Sequence, residues 1–211
     1  VLPKGDGPNS GSDYTGLSSF GVDANGELYL CQMSSIGGRI YKLQRGGSPP
    51  PTHPMPKLLS QTGAFADLEK FQPAGSLVPY NVNSPLWSDG AVKQRWIALP
   101  TDTKVDFTTE GEWTFPAGTV FVKNFNLPVD DTRPQIVPRL ETRLLVCDTN
   151  GGVYGASYKW RADNSDADLV TAGINEDITI TTATGTRTQR WFYPGRQDCL
   201  TCHTPQSGGV L

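Results

Sequence analysis

The residues whose types and spacing point most directly to chemistry lie near the carboxyl end of the sequence. Cys199, Cys202 and His203 form a C-x-x-C-H motif, the pattern by which c-type haem is attached. In that chemistry the two thiols form thioether bonds to the porphyrin and the imidazole becomes the proximal ligand of the iron. A redox dithiol or half of a zinc site needs only the cysteines, so the adjacent histidine, one of two in the chain, favours haem. The sequence therefore predicts covalent haem c here, with a Cys199 to Cys202 disulfide or the remnant of a lost haem site as the alternative.

A distal iron ligand is expected from upstream in the sequence or from another chain. Only eight residues follow His203. If neither of these sources supplies the ligand, the sequence is expected to be a piece of a longer protein. The candidates are His53, Met33 and Met55, the remaining histidine and both methionines. His53 and Met55 lie in a proline-rich stretch where residues are usually spacers, and Met33 follows strand-like residues where packing is the ordinary role. All three are therefore weak candidates.

An acidic turn is the second group that could bind an ion. Asp163, Asn164, Asp166 and Asp168 supply oxygens, which are the ligands that calcium prefers. The spacing lacks the glycine and the final glutamate of an EF-hand loop. Since Asn and Asp are also ordinary turn formers, a solvated hairpin tip is favoured over this weak calcium site.

The five tryptophans include one that could contact carbohydrate. Trp87 precedes Ser88 and Asp89, and an exposed indole can stack on a sugar ring, although most tryptophans of a sandwich fill its core. We expect at least three of the five to be buried. A serine triad is not expected, because one histidine is assigned to haem and the other lies in a linker. The sequence also has no phosphate loop or dinucleotide motif, so any enzymatic role would be as part of an oxidoreductase.

Composition excludes several partners and indicates a compartment. A formal charge of -3 over 211 residues gives no electrostatic surface for nucleic acid or an anionic membrane, and no apolar run reaches the roughly 18 residues of a membrane span. Haem is attached outside the cytosol, so the protein is expected in the periplasm or outside a bacterial cell. There Cys31 and Cys147 could form a disulfide, or remain buried thiols, which is an equally common state of cysteine.

The amino-terminal part is expected to be an arm followed by a small sheet. Residues 1–16 are too rich in glycine and proline to pack and predict an extended arm. Residues 17–45 contain three short strands, two of them joined by an Asn25-Gly26 turn, which is typical of part of a propeller blade. Residues 46–56 read as a stiff, proline-rich linker and mark the domain boundary.

Residues 57–198 are expected to form one all-β domain, an antiparallel β-sandwich or jelly roll with few short helices. Strands are predicted at 95–99, 104–108, 119–125, 139–148, 153–160 and 178–193. A Thr184-Gly185 turn interrupts the last of these segments, and turn residues separate the others. Short helical turns are predicted at 57–61, ending at Gly63, and at 65–71. Residues 199–211 form the haem-attachment tail.

Several segments resemble a bacterial domain found behind glucose/sorbosone dehydrogenase-type propellers, with a cytochrome-like carboxyl-terminal part. The likeness covers about residues 57–211, and it is carried by LSQTG at 59–63, VPY at 78–80, NSPLWSDGA at 83–91, FPAGT at 115–119, ETRLL at 141–145, YKW at 158–160 and YPGR at 193–196. The resemblance implies an exported all-β domain, and in that family the chain continues further.

Two functions of different classes follow. The first is an exported electron-transfer module with covalent haem, which passes electrons to or from a redox partner such as a quinoprotein sugar dehydrogenase. The alternative is an extracellular structural or glycan-binding module without haem, which could self-assemble as a homo-oligomer through exposed strand edges.

Overall fold

The computed structural model describes residues 16–34, 37–43, 55–149, 152–199 and 201–203. The chain divides into two compact units, Val1–His53 and Pro54–Leu211. The predicted arm at 1–16, except its last residue, and most of the predicted linker at 46–56 lie outside the described residues, as does His53.

The first unit contains a three-stranded antiparallel sheet, as the sequence predicts. Its strands are β1 (Gly16–Val22), β2 (Leu28–Ser34) and β3 (Gly37–Lys42), in the order β1-β2-β3. Gly26 adopts a φ of 79° in the turn between β1 and β2, a conformation that glycine tolerates without strain. The Asp23 carboxylate accepts hydrogen bonds from two backbone N–H groups of the same turn.

The second unit is built around a six-stranded antiparallel sheet whose strands are neighbours in chain order. A 3-10 helix (Leu59–Thr62) and a short pair, β4 (Phe65–Asp67) with β5 (Gln72–Pro73), precede the sheet. The sheet consists of β6 (Val78–Pro79), β7 (Val92–Ala98), β8 (Val120–Asn126), β9 (Arg139–Cys147), β10 (Val153–Trp160) and β11 (Ala167–Leu169). A hairpin of β12 (Ile174–Thr182) and β13 (Gly185–Tyr193) follows, and then one short helix, α1 (Arg196–Cys199). The prediction of an all-β antiparallel fold is confirmed.

Two local predictions are wrong. Residues 104–108 form no strand, and only an isolated bridge joins Asp106 to Thr114, because no neighbouring strand pairs with this segment. Residues 65–71 form β4 and a turn instead of a helix. The Asp67 carboxylate accepts a hydrogen bond from the Lys70 N–H, and such side-chain to backbone bonds compete with helix formation.

The two faces of the six-stranded sheet have different roles. Trp96, Val122, Leu144 and Ala156 lie opposite one another on β7 to β10 and belong to the main hydrophobic cluster; we call this side the core face. The residues that alternate with them point to the other side, which we call the motif face. The β12–β13 hairpin covers one end of the motif face, where its residues form a second cluster with Phe125.

Candidate haem-attachment site

The C-x-x-C-H motif continues a short helical stretch at the end of the described chain. Beyond α1, the Thr201 N–H donates to the Asp198 carbonyl at 3.2 Å and the His203 N–H donates to the Cys199 carbonyl at 3.1 Å. The second of these spans four residues, as in an α-helix. Residues three and four apart lie on the same side of a helical turn. The two cysteines and the histidine therefore share one side of this stretch.

Three glycines allow this segment to approach the rest of the second unit closely; we call Gly155, Gly173 and Gly195 the glycine seat. A Cβ on Gly155 of β10 would lie 2.6 Å from Cys199 Sγ, and one on Gly173 would lie 2.8 Å from an Asp198 carboxylate oxygen. A Cβ on Gly195 would lie 2.8 Å from the backbone of residues 172 and 173. Real Cβ atoms do not approach other heavy atoms this closely, so side chains at these positions would displace the segment.

Cys199 is held against the sheet by this packing. Its side chain is half-buried and is a thiol, and Sγ lies 3.6 Å from the Gly195 carbonyl as a weak donor. Burial raises the pKa of the Cys199 thiol, against the opposing effect of the nearby Arg143 guanidinium. Cys202 is exposed and His203 is half-buried.

The motif face beside Gly155 is apolar and aromatic. Leu145 pairs with both Gly155 and Phe121 in the sheet register. Phe121 packs edge-to-face against Phe115 at 5.0 Å and against Tyr80 at 6.4 Å between ring centroids. These side chains belong to a third cluster, which also contains Cys147, Val153 and Ile97.

The next row of the motif face is basic. Arg95, Lys123, Arg143 and Ser157 lie directly opposite one another on β7 to β10; we call the three cations the basic row. It is two residues along the strands from the row that contains Gly155, a spacing of about 7 Å. Like charges placed opposite each other destabilise a sheet, so this arrangement requires an explanation.

Only one cation of the basic row is neutralised by the described chain. Arg143 forms an ion pair with the fully buried Glu141, at 2.7 Å and 2.9 Å, and Trp191 of the hairpin donates to the same carboxylate at 3.0 Å. Neither Arg95 nor Lys123 has an ion pair with any described residue.

Lys123 shows the electrostatic effect of this arrangement. Its ammonium lies 5.0 Å from the centre of the Phe125 ring, and the Arg143 guanidinium lies 4.6 Å from the same ring. Burial first, and then the charges of Arg95, Lys93 and Arg143, lower the pKa of Lys123 to about 8. The motif face is therefore strongly electropositive at this row.

These features fit a covalently attached haem. Two thiols and an imidazole share one side of a helical stretch, which is the ligand set that haem c requires. The row beside the first thiol is apolar, with Leu145 half-buried and Phe121 covered by Phe115 and Tyr80, and cations without an ion pair lie in the adjoining row. The C-x-x-C-H motif predicted the two cysteines and the histidine of the site. The glycine seat and the basic row were not predicted from the sequence. The sequence contains one signal for the row. Arg95, Lys123 and Arg143 are each next in sequence to a core residue of a predicted strand, so their side chains point to the opposite face of the sheet.

Of the distal-ligand candidates, only Met55 lies in the same unit as the motif. Met55 packs against the cluster of the core face, next to the Pro56 carbonyl that accepts a hydrogen bond from Tyr158, so the sheet separates it from Cys199. Met33 lies in β2 of the first unit and is 65% exposed. Met55 therefore packs on the core face, and the identity of a distal ligand stays untested.

The acidic turn is held by hydrogen bonds and its carboxylates do not converge. Asp163 accepts from Ser165, the buried Asp166 accepts from the N–H and hydroxyl of Ser60, and Asp168 pairs with Arg161. Within the described residues, no group of three or more His, Cys, Asp or Glu side chains could hold a metal ion. These three local roles are those of a turn, the reading favoured from the sequence, and the weak calcium site stays an untested alternative.

The remaining predictions concern the tryptophans and the other cysteines. Trp96, Trp160 and Trp191 are buried, which confirms that at least three of the five fill the core. Trp87 is 76% exposed. Cys31 in β2 and the buried Cys147 at the end of β9 are thiols and not a disulfide in this structure.

Comparisons with models of known protein families, with curated proteins and with solved structures find no match. The resemblance to the propeller-associated bacterial domain therefore stays a prediction. Among the helices of the described residues, none is long and apolar enough to cross a membrane.

Proposed function

We propose that this chain is an exported electron-transfer module that carries haem c on Cys199 and Cys202, with His203 as the proximal ligand. The observation that supports this proposal best is that the His203 N–H donates to the Cys199 carbonyl, four residues back, while Cys199 packs on Gly155. Bound haem supplies reversible one-electron chemistry at iron. The chain itself positions the ligands and provides the half-buried Leu145, the register partner of Gly155, beside them.

The role of the protein residues is to orient and to tune. Asp198 accepts a hydrogen bond from the Gly195 N–H at 2.8 Å, which fixes the turn that leads into the motif. The cations of the basic row raise the local positive potential, and charge near a haem is one of the means by which a protein sets its potential. A redox partner such as a quinoprotein sugar dehydrogenase would exchange electrons with this module.

The proposal is tested by producing the chain in the periplasm of a bacterium that contains the cytochrome c maturation machinery. We expect the intact mass to increase by one haem and the reduced protein to show the sharp absorption of haem c. The variant Cys199→Ser/Cys202→Ser is the control and should show neither. A wild-type chain that folds, shows the mass of the polypeptide alone and has no visible spectrum would overturn the proposal.

A glycan-binding module is the second candidate, and a separate observation favours it. Leu86 and Trp87 are 77% and 76% exposed, and an exposed indole is a surface on which sugar rings stack. The chain would then bind neutral oligosaccharides, and Trp87→Ala would abolish retention on a polysaccharide column. Equal retention of Trp87→Ala and the wild-type chain would exclude this function.

A further inference from the structure

The basic row contains two cations that the described chain leaves without a counter-charge. Arg95 and Lys123 lie directly opposite each other on β7 and β8, and both are half-buried. A half-buried charge without a partner is costly, and two of them side by side add repulsion. Apolar residues at these positions would avoid both costs, so the presence of two charges here points to an anion.

The position of the row indicates which anion. It adjoins the row in which Cys199 contacts Gly155, and it is bordered on its other side by Phe125 and Glu141, which the hairpin covers. Lys93, the next cation, has polar partners of its own, because its ammonium donates to the Leu86 carbonyl and the Ser88 hydroxyl. Arg95 and Lys123 are therefore the cations without an ion pair in the row that adjoins Gly155.

We propose that Arg95 and Lys123 bind the two propionate carboxylates of the haem attached at Cys199 and Cys202. This inference rests on the proposed function. Guanidinium and ammonium groups form charge-assisted hydrogen bonds with carboxylates, which are about twice as strong as neutral ones. Arg143 is already paired with Glu141 and contributes to the potential without acting as a direct ligand. A free carboxylate from solution would be bound by the same chemistry, so the test separates the two sources.

The first arm of the test uses the haem-loaded full chain. Arg95→Met and Lys123→Met remove one charge each and keep a long side chain. Lys57→Met is the matched control, because Lys57 is exposed and lies beside Pro56, which packs on the core face. All variants should carry haem by intact mass. We expect the midpoint potential to fall in Arg95→Met and Lys123→Met, since a cation beside the carboxylates stabilises the more negative reduced haem, and to stay unchanged in Lys57→Met.

The second arm has a readout other than redox behaviour. In the haem-free Cys199→Ser/Cys202→Ser chain, succinate should shift the NMR signal of the Lys123 side chain saturably. Arg95→Met should weaken succinate binding at least tenfold, as expected for the loss of one charge-assisted hydrogen bond. The haem-loaded chain should not respond, because its carboxylates occupy the row.

The outcomes distinguish the inference from the proposed function. If the wild-type chain acquires no haem, the proposed function is wrong. If haem is attached but the potentials of Arg95→Met and Lys123→Met equal that of the wild type, only the inference is wrong. An equal response to succinate in the loaded and haem-free chains would also overturn it, because the row would then take free carboxylates.

Discussion

A methyl group added at Gly155 should push the C-x-x-C-H segment off the sheet. The new Cβ of Gly155→Ala would lie 2.6 Å from Sγ and 2.8 Å from Cβ of Cys199, well inside van der Waals contact. β10 is paired with β9 from Val153 to Lys159, Gly155 included, and with β11 at its end, whereas α1 is a single helical turn. We therefore expect the helix and not the strand to move.

The size of the effect follows from the cost of overpacking. Inserting a methylene into a well-packed site costs about 1–3 kcal/mol, and every 1.4 kcal/mol changes an equilibrium tenfold. If Cys199 reacts only when the segment opens, its reaction rate should rise by about 5- to 150-fold. The raised pKa of the thiol keeps it mostly protonated and slow in the wild-type chain, which leaves room for such an increase.

The assay is pulsed alkylation of the haem-free chain, followed by peptide mass mapping that reports each cysteine separately. The buried Cys147 serves as an internal reference for global unfolding. Gly21→Ala is the control substitution, because Gly21 also lies in a strand and its added Cβ would meet nothing within 4 Å. An alkylation rate of Cys199 that is the same in Gly155→Ala and in the wild type would refute the packing of this segment on β10.

Three further predictions concern stability measured by urea unfolding. Between pH 8 and pH 10.5, the pKa of Lys123 in the folded chain and its ordinary value, the unfolded chain binds a proton that the folded chain does not. The contribution of Lys123 to the free energy of unfolding should therefore rise by about 1–2 kcal/mol across this range after allowance for partial exposure, and it is measured as the difference between the wild-type chain and Lys123→Met at each pH. Thr142→Val should lower the free energy of unfolding by about 1–2 kcal/mol, because the buried Trp160 N–H donates to the Thr142 hydroxyl at 2.9 Å. An unchanged midpoint of urea unfolding would contradict this. Asp166→Ala should cost about 2–3 kcal/mol through its lost charged hydrogen bonds, whereas Asp163→Ala, in the exposed part of the same turn, should cost clearly less; equal losses would refute the assigned roles.

Strands were predictable where the pattern is local and the turns are marked. The alternation at 153–160 predicts β10, and residues 119–125 predict β8 to within one residue. The prediction failed where a segment has apolar alternation but no partner strand. Residues 104–108 have that pattern, yet Phe107 is 65% exposed and packs only with the neighbouring Trp113.

The candidate site was predictable only in its covalent part. Cys199, Cys202 and His203 are adjacent in sequence, so a motif can identify them. The basic row joins residues of three strands, and its existence depends on the register of β7, β8 and β9. A shift of one residue would move Lys123 to the core face, and sequence alone does not fix that register. The fit of Cys199 on Gly155 likewise requires coordinates.

The contrast between the two faces of the sheet supports a role for the basic row beyond folding. On the core face, the same strands present Trp96, Val122 and Leu144, which the rest of the unit covers. On the motif face, the hairpin covers the end that contains Phe125, and the C-x-x-C-H segment covers Gly155. Between these two covers Arg143 pairs with Glu141, whereas Arg95 and Lys123 have no ion pair with any described residue. A sheet that needed only to be buried would place apolar side chains there, so the charges are best explained by a ligand that brings its own negative charge to this part of the motif face.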